Sequence, residues 1–385
     1  MKDNKNIVVM AWRDMWHPGV GGAEIYIMKM VENLRDNGYS IKYLTARYQG
    51  SKKQEIKDGI EYIRMGNSIT LYLLAPLYYL FNLKRNTSLV IENFNAVPFN
   101  IPLYNKRNVT VIHHLQSPEW VSTYGNFIGK IASFIFTNMT SLVYRKEKHI
   151  ITVSPSSKED LISKGFKEQN ITIIYNGIDV KVVEKIQKRN DILNIISLGR
   201  VKATKHIEEA IEMIEYSIKK LNIKNIKLRI AGKGEDEIRL KTLVKDKNLD
   251  GYVEFLGFVS DQEKEELLEE AHLHVQFSRK EGWGITVIEA AAKGTPTICY
   301  PVAGLIDSVS DETGYFIRDS LKETWKRTIE GIQDSNEEYI NKKDNGIKWA
   351  RKFEWDNQKR LFLDKVNTVT TNIGSEAEAK NRNIK

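Results

Sequence analysis

The chain alternates short apolar runs with segments in which apolar residues recur every three or four positions. Continuous apolar runs are typical of strands in a parallel sheet that is covered on both faces. In the first half of the sequence they predict strands at 7–11, 41–45, 60–65, 89–92, 109–113, 150–154 and 171–175. The second half repeats the scheme, with predicted strands at 193–198, 226–231, 253–257, 273–277 and 297–300.

The three-to-four spacing between these runs predicts helices that pack on the strands. We expect residues 69–83 to face the core. Residues 125–148 have two interpretations, a core helix with a solvated face or a basic amphipathic surface that touches a membrane. Strands alternating with helices predict the α/β class. The other predicted helices lie at 23–37, 158–164, 262–271 and 288–292, with one more beginning at His206.

Composition narrows the class of protein. The sequence has 385 residues, of which 41% are hydrophobic, and a single cysteine, Cys299, which excludes an internal disulfide and fits a reducing compartment. Residues 1–190 carry 26 Lys and Arg against 16 Asp and Glu, whereas the remainder carries 32 against 34. A basic half indicates either an anionic partner or a solvated Lys-rich surface. We expect no signal peptide. We also expect no membrane-spanning helix, because the longest apolar stretch, 69–83, is too short to cross a bilayer and contains Pro76.

The strongest candidate for chemistry is the segment 278–292, which has the order strand end, Gly-rich turn and helix. Free backbone N–H groups at such a helix N-terminus favour phosphate. Glu281 and Glu289 bracket the turn, and ionised carboxylates accept hydrogen bonds from sugar hydroxyls. The alternative is a turn that only packs tightly.

Two features of the first half also lie at strand ends. Gly21 and Gly22 precede the first helix but lack the dinucleotide-binding spacing, so they indicate close approach of a ligand or a tight turn. His113 and His114 follow the strand at 109–112, where ligands bind in open α/β sheets. Proton relay or hydrogen bonding suits this pair better than metal binding, since neither a cysteine nor a pair of carboxylates lies nearby in the sequence.

The second half places two cations after its first strand. Arg200 follows Gly199, and Lys205 comes five residues later. A guanidinium fork and an ammonium point charge together suit a diphosphate.

The order of motifs along the chain resembles that of the family 4 retaining glycosyltransferases of the group 1 type. These motifs are GGAE at 21–24, NGID at 176–179, GR at 199–200 with Lys205, AGKGE at 231–235, EGWGITVIEA at 281–290 and FEWDNQ at 353–358. The resemblance covers nearly all of residues 5–366. It implies the GT-B fold, two Rossmann-like domains facing each other across a cleft, with a C-terminal helix that crosses back to the first domain. The implied domains are 1–185 on the acceptor side with the helix 353–368, then 190–350 for the donor, with 369–385 expected to be disordered.

The resemblance also implies roles for individual residues. Arg200 and Lys205 are expected to neutralise the donor pyrophosphate, Glu281 to orient the transferred sugar and Glu289 to bind the ribose hydroxyls. His113 or His114 is expected to be the active-site histidine, and strand register favours His113. The further donor-binding residues implied are Gly21, Gly22, Asn176, Gly199, Gly232, Phe258 and the backbone of Gly282, Trp283, Gly284 and Ile285. One departure is that His206 stands after Lys205, where the family commonly has glycine.

The implied function is metal-independent, retaining transfer of a hexose or N-acetylhexosamine from a UDP- or GDP-type sugar, with no cofactor. The sequence contains no metal-binding Asp-x-Asp. The expected acceptor is a lipid-linked or cell-surface glycan, at the cytoplasmic side of an anionic membrane. The alternatives are a soluble small-molecule acceptor and an inactive nucleotide-sugar-binding protein. Nucleic acid is not expected as a partner, since the basic residues are scattered and no nucleic-acid motif is present.

Overall fold

The computed structural model describes residues 5–94, 97–113, 142–179, 181–183, 192–279 and 281–382. The chain forms two compact units. The N-terminal unit contains Met1–Asn176 and Trp355–Lys385, and the C-terminal unit contains Gly177–Glu354. The predicted first boundary, at 185–190, lies further along the chain than the boundary in the structure. Val183, which the prediction assigned to the first domain, donates its N–H to the carbonyl of Ala292 in the C-terminal unit.

The N-terminal unit contains an eight-stranded sheet of order β3-β4-β2-β1-β5-β6-β7-β8. All neighbours are parallel except β3 and β4, which are antiparallel. The strands are β1 Asn6–Ala11, β2 Ser40–Ala46, β3 Gln54–Lys57, β4 Ile60–Met65, β5 Leu89–Phe94, β6 Asn108–Ile112, β7 Ile150–Thr152 and β8 Ile171–Ile173. The helices are α1 Gly22–Asp36, α2 Leu71–Tyr78 and α3 Pro155–Ser163.

Successive residues of β1 enter two cores, because side chains alternate between the faces of a sheet. Ile7 and Val9 pack with α1, whereas Val8 and Met10 pack with α2. This burial on both faces explains why the strand is apolar throughout.

The structure corrects the expectation that residues 69–83 face the core. Leu71 and Ala75 are buried, but Leu73 and Phe81 are exposed. The helix α2 continues into a π-helical turn, Tyr79–Leu83. Both of its sides are apolar, so hydrophobicity alone did not distinguish the inner side from the outer one. Most of the predicted helix 125–148 lies outside the described residues.

The C-terminal unit contains a six-stranded parallel sheet of order β11-β10-β9-β12-β13-β14. Its strands are β9 Leu193–Leu198, β10 Ile226–Ala231, β11 Val253–Gly257, β12 Leu273–Gln276, β13 Thr297–Cys299 and β14 Gly314–Phe316. Its helices are α4 Ile207–Lys219, α5 Glu237–Asp246, α6 Asp261–Glu270, α7 Ile285–Ala292, α8 Leu305–Ser308, α9 Leu321–Gln333 and α10 Glu337–Ala350.

The last helix, α11 Trp355–Arg382, belongs to the N-terminal unit. Phe362 and Val366 enter the core beside α1. The side-chain amide of Asn33 on α1 donates to the carbonyl of Lys359 at 3.0 Å. The helix continues past 368, through residues that we expected to be disordered. This stretch contains Glu-Ala-Glu-Ala-Lys at 376–380, and these residue types have high helix propensity. Within the described part of the chain, no helix is both long enough and apolar enough to span a membrane.

Candidate active site

The strand order of the C-terminal unit reverses at β9 and β12, which lie side by side in the sheet. In open α/β sheets, ligands bind at the carboxyl ends of the strands at such a switch point. The strand β9 leads into Gly199, Arg200 and Lys205, and β12 leads into the turn that contains Glu281. The topology therefore brings the two predicted donor-binding motifs to one edge of the sheet.

Glycines let two loops at this edge approach each other closely. Gly199 and Gly232 end their strands at positive φ, 134° and 143°. A Cβ atom on Gly232 would lie 1.8 Å from the carbonyl oxygen of Gly199. A Cβ atom on Gly234 would lie 2.0 Å from the carbonyl oxygen of Val201. The glycines of the AGKGE motif are thus required for the loop that carries Arg200 to fit against its neighbour.

Lys205 and Glu281 form an ion pair, with 2.7 Å between Nζ and Oε2. Gln276, the last residue of β12, donates its amide to the same carboxylate oxygen at 3.2 Å. Both charged side chains are partly exposed, Lys205 at 25% and Glu281 at 19%. The pair can therefore exchange partners with a ligand. Arg200 is exposed and forms no ion pair within the described ranges.

His206 adopts the backbone conformation that glycine prefers. Its φ is +50°, in the left-handed region, and it directly precedes α4. This explains why glycine is common at this position of the family, since a side chain there strains the backbone. The departure in this sequence therefore keeps the left-handed turn after Lys205.

Glu289 lies on α7 and is nearly buried, at 7% exposure. Burial raises the pKa of Glu289, and the charge of Lys264 opposes this rise. Lys264 Nζ lies 2.9 Å from Glu289 Oε1 and 3.1 Å from an oxygen of Asp261. The helix α6 thus supplies the cation that faces the predicted ribose-binding carboxylate.

The turn between β12 and α7 is fixed by two further glycines. Gly284 has φ +82° directly before α7. A Cβ atom on Gly304 would lie 2.3 Å from the carbonyl oxygen of Glu281. Trp283 is 3% exposed, and its ring packs edge-on against Phe353 with 5.2 Å between centroids. Its side chain therefore anchors the turn, which leaves the backbone of 282–285 as the part able to meet a ligand.

The remaining predicted donor-binding residues differ in exposure. Phe258, just after β11, is 79% exposed. Asn176, at the end of the N-terminal unit, is 6% exposed. Their predicted roles at the base and at the donor stay predictions.

The charge of Lys205 affects the pKa of a buried histidine, His274 on β12. Burial lowers the pKa of His274 to about 3, and Lys205 acts in the same direction. Its Nδ1 lies 3.0 Å from Thr297 Oγ1. The imidazole is therefore neutral at physiological pH and adds no positive charge beside the cations.

In the N-terminal unit the predicted ligand-approach site is the start of α1. Gly21 has an extended backbone, with φ −143°, that any residue can adopt. Its N–H donates to Glu24 Oε2 at 2.8 Å, and a Cβ atom there would be in ordinary contact with this oxygen. The buried carboxylate of Glu24 is favoured by the helix dipole. The local fold thus does not demand glycine at this position.

His113 lies directly after β6 and is 7% exposed. Its Nε2 lies 3.0 Å from Oδ1 of Asn93, a residue of the neighbouring strand β5. Its ring also packs edge-on against Tyr26 on α1, with 5.4 Å between centroids. Contacts from two elements fix the imidazole at the carboxyl edge of the sheet. His114 lies outside the described residues.

Next to Asn93, Glu92 is fully buried. Burial raises the pKa of Glu92 to about 7. The hydroxyl of Tyr144 donates to both carboxylate oxygens, at 2.8 and 2.7 Å, and the N–H of Phe99 donates at 2.6 Å. The carboxyl group thus connects β5 to the helical turn that contains Tyr144 and to the loop that contains Phe99.

Sequence reasoning missed the roles of Gln276 and Lys264. Gln276 is the polar end of the short strand Leu273–Gln276, and Lys264 is the single cation of the acidic helix Asp261–Glu270. Both were therefore detectable as exceptions to their local pattern. Among the described residues, no group of three or more His, Cys, Asp or Glu side chains could hold a metal ion. Metal independence stays a prediction.

Family models match both halves of the chain. The model described as glycosyl transferases group 1 matches residues 181–349, and the model described as glycosyltransferase family 4 matches residues 20–182. An uncharacterised glycosyltransferase of Methanocaldococcus jannaschii is 26% identical over 76% of this chain and 80% of its own length. One subunit of the human phosphatidylinositol N-acetylglucosaminyltransferase is 23% identical over 80% of this chain and 65% of its own.

Solved structures share the fold. Sucrose-phosphate synthase from Thermosynechococcus elongatus superposes with a TM-score of 0.73 at 18% identity, covering 95% of this chain and 99% of its own. Anabaena HepE, solved in complex with UDP and glucose, gives a TM-score of 0.68 at 16% identity, covering 94% of this chain and 100% of its own. The predicted fold class is confirmed. The chain belongs to the group 1 glycosyl transferases, with an N-terminal unit of glycosyltransferase family 4 and the GT-B fold.

Proposed function

We propose that this glycosyltransferase moves a hexose or N-acetylhexosamine from a UDP- or GDP-linked donor to an acceptor hydroxyl, retaining the anomeric configuration without a metal ion. The observation that carries the proposal is the ion pair of Lys205 and Glu281 at the switch point, beside the exposed Arg200. The site holds two cations and one carboxylate next to a turn that ends in a helix N-terminus. This combination suits a diphosphate joined to a sugar.

In the proposed binding step, the donor separates the ion pair of Lys205 and Glu281. The diphosphate takes Lys205 and Arg200, and Glu281 is released to accept hydrogen bonds from the sugar hydroxyls. Glu289 accepts hydrogen bonds from the ribose hydroxyls, and the charge of Lys264 favours the ionised form of its carboxyl group. His113, whose imidazole is held by Asn93 in the N-terminal unit, is proposed to hydrogen-bond the acceptor.

In the proposed chemical step, the acceptor hydroxyl attacks the anomeric carbon on the face from which the diphosphate departs. The bond between the anomeric carbon and the phosphate oxygen breaks, and the acceptor proton passes to that oxygen. Arg200 and Lys205 stabilise the negative charge on the departing diphosphate, as fixed cations that require no reorganisation during the reaction.

The proposed acceptor is a lipid-linked or cell-surface glycan, reached from the cytoplasm. Support comes from the human relative, whose name identifies a phosphatidylinositol acceptor, and from a Staphylococcus aureus relative named as acting on poly(ribitol-phosphate). The excess of basic residues in 1–190 supports an anionic acceptor environment. The single buried cysteine, Cys299, fits the reducing cytoplasm.

A soluble acceptor is the second candidate. It is favoured by the fold shared with sucrose-phosphate synthase and by a relative named mannosylfructose-phosphate synthase, both named for small phosphorylated sugars.

The proposed function is tested by incubating the purified protein with UDP- and GDP-sugars in the presence of EDTA, with either a lipid-linked or a soluble acceptor. NMR of the product gives the anomeric configuration. A product of inverted configuration, or turnover only after metal is added, would contradict the proposal. Donor binding without turnover on any acceptor would favour the inactive binding protein.

A further inference from the structure

On the N-terminal unit, α2 and the turns at its two ends present an apolar surface to solvent. Ile69, Leu73, Leu77 and Phe81, which we call the α2 face, are 74%, 66%, 40% and 83% exposed. They recur every fourth residue, which aligns them along one side of a helix. A contiguous exposed apolar patch of this kind marks an interaction site more often than a solvated surface.

The opposite side of the same helix is already anchored. Leu71, Ala75 and Tyr79 are buried against the core that contains Val8 and Met10. The helix is therefore held in place by its inner side, and the α2 face is not a core surface left open by a poor fit.

Four exposed cations lie near the C-terminal end of α2. Lys84 and Arg85 follow the α2 face in sequence. The side-chain amide of Asn105 donates to the hydroxyl of Tyr79, the first residue after α2, at 3.0 Å, which places Lys106 and Arg107 near that end of the helix. Leu103, in the same segment, is 71% exposed.

The sequence that carries the α2 face and these cations is poor in acids. The only acidic residue in the sequence between 66 and 113 is Glu92, and it is fully buried. An exposed apolar stripe with cations at its end, in a sequence segment without an exposed acid, matches the chemistry of an anionic lipid surface, where acyl chains meet phosphate headgroups.

We propose that the α2 face docks the protein on an anionic bilayer, with its apolar side chains below the headgroups and the four cations at the lipid phosphates. The eight residues of α2 are too few to span the hydrocarbon core, so the helix lies in the interface. A second copy of the chain is a poor occupant, because a two-fold interface would place these four cations against those of the other copy. The inference concerns lipid binding and goes beyond the transfer reaction.

The first test is sedimentation of the purified protein with vesicles of phosphatidylcholine alone or mixed with phosphatidylglycerol. The triple variant Leu73→Ser, Leu77→Ser, Phe81→Ser is expected to bind mixed vesicles more than tenfold more weakly than wild type, since its insertion surface is lost. The matched control is Ile56→Ser with Ile238→Ser, two apolar residues elsewhere that are 77% and 81% exposed. The control is expected to bind like wild type.

The four cations are tested separately. Each Gln substitution at Lys84, Arg85, Lys106 or Arg107 is expected to weaken binding to mixed vesicles about fivefold. Salt is expected to weaken wild-type binding in the same direction, because it screens the headgroup attraction.

A second measurement locates the contact. Cys299 is fully buried, so a cysteine introduced as Phe81→Cys is the accessible site for an environment-sensitive fluorophore. Its emission is expected to shift to the blue on addition of mixed vesicles, whereas the same fluorophore on Ile56→Cys is expected to stay unchanged.

These assays contain no nucleotide sugar, so their outcome is independent of the proposed transfer reaction. The proposal is overturned if wild type fails to sediment with mixed vesicles at low salt, or if the triple variant binds as wild type does. Self-association of the wild type that the triple variant abolishes, without any lipid binding, would instead assign the α2 face to a second copy.

Discussion

Both units contain a largely parallel sheet with helices packed on it, but they differ in the chemistry at the carboxyl edges of these sheets. In the C-terminal unit this edge carries partly exposed charges, the pair of Lys205 and Glu281 beside Arg200. In the N-terminal unit it carries buried groups bound to fixed partners, His113 with Asn93 and Glu92 with Tyr144. The comparison indicates that one edge is built to exchange charged partners with a ligand and the other to hold its side chains still.

The difference follows from what each edge is proposed to meet. A diphosphate brings negative charge, and partly solvated cations are accessible to bind it. A sugar and an acceptor hydroxyl are neutral, and fixed hydrogen-bonding groups position them best. Four predictions separate the two edges, in order of decreasing effect on activity.

The largest effect is expected at the charged edge. Arg200→Ala and Glu281→Ala are each expected to lower kcat/KM by about two to three powers of ten, because each removes a preorganised interaction with the developing charge or the sugar. Steady-state kinetics at saturating acceptor measures this. The matched control is Lys202→Ala in the same loop, whose partner Glu235 is 69% exposed, and it is expected to stay within a few-fold of wild type. Equal losses in Lys202→Ala would contradict a specific role for Arg200.

At the neutral edge, His113→Ala is expected to lower kcat by about a hundredfold, the lower range for a positioned acid–base or hydrogen-bonding side chain. Binding of the nucleoside diphosphate alone, measured by calorimetry, is expected to stay unchanged. Arg200→Ala is expected to lose both catalytic activity and binding of the nucleoside diphosphate. If His113→Ala also abolished diphosphate binding, the division between the two edges would fail.

A smaller effect is expected at Lys264. In Lys264→Met, Glu289 loses the charge that opposes its burial, so the pKa of Glu289 rises further. Its carboxylate then protonates more readily as pH falls, and the donor KM is expected to rise about tenfold at neutral pH, since a bidentate contact with the hydroxyls is weakened. Raising the pH is expected to restore part of the affinity. The control is Lys241→Met, which removes a surface pair with Glu237, and a pH-independent KM in Lys264→Met would contradict the proposed role of Lys264.

Glu92 tests stability instead of activity. Burial raises its pKa to about 7, so the fold favours the protonated form. Its stabilising contribution is fully present below the ordinary pKa of a carboxyl and is lost as pH rises through about 7. Between pH 5 and 8 this loss is on the order of 2 kcal/mol. Glu92→Gln is expected to flatten that dependence in denaturant unfolding while leaving diphosphate binding intact. An unchanged pH profile would show that Glu92 ionises normally.

The sequence predicted most of the buried strands, because strands covered on both faces are continuously apolar, but it missed the buried β14, Gly314–Phe316, which has only three residues. It missed β3, Gln54–Lys57, which is short, mostly exposed and polar. It also missed which side of α2 meets the core, since both sides are apolar. Contacts distant in sequence, such as Lys264 with Glu289 and Asn93 with His113, have no local signal beyond an unexpected residue type. The candidate site residues were predicted from the resemblance and from their positions at strand ends. The side chains that contact them, such as Lys264 and Asn93, were identified only in the three-dimensional structure.

The central claim is that Arg200, Lys205 and Glu281 bind a nucleoside diphosphate without metal. The most direct measurement is thermal unfolding of wild type and Arg200→Ala with UDP, GDP and their sugars in EDTA. A ligand at about a hundred times its Kd adds about 2.7 kcal/mol of stability by mass action. We predict a raised Tm for wild type with one nucleotide class and little or no rise for Arg200→Ala. No shift for wild type with any of these ligands at millimolar concentration, or an equal shift in both proteins, would contradict the claim.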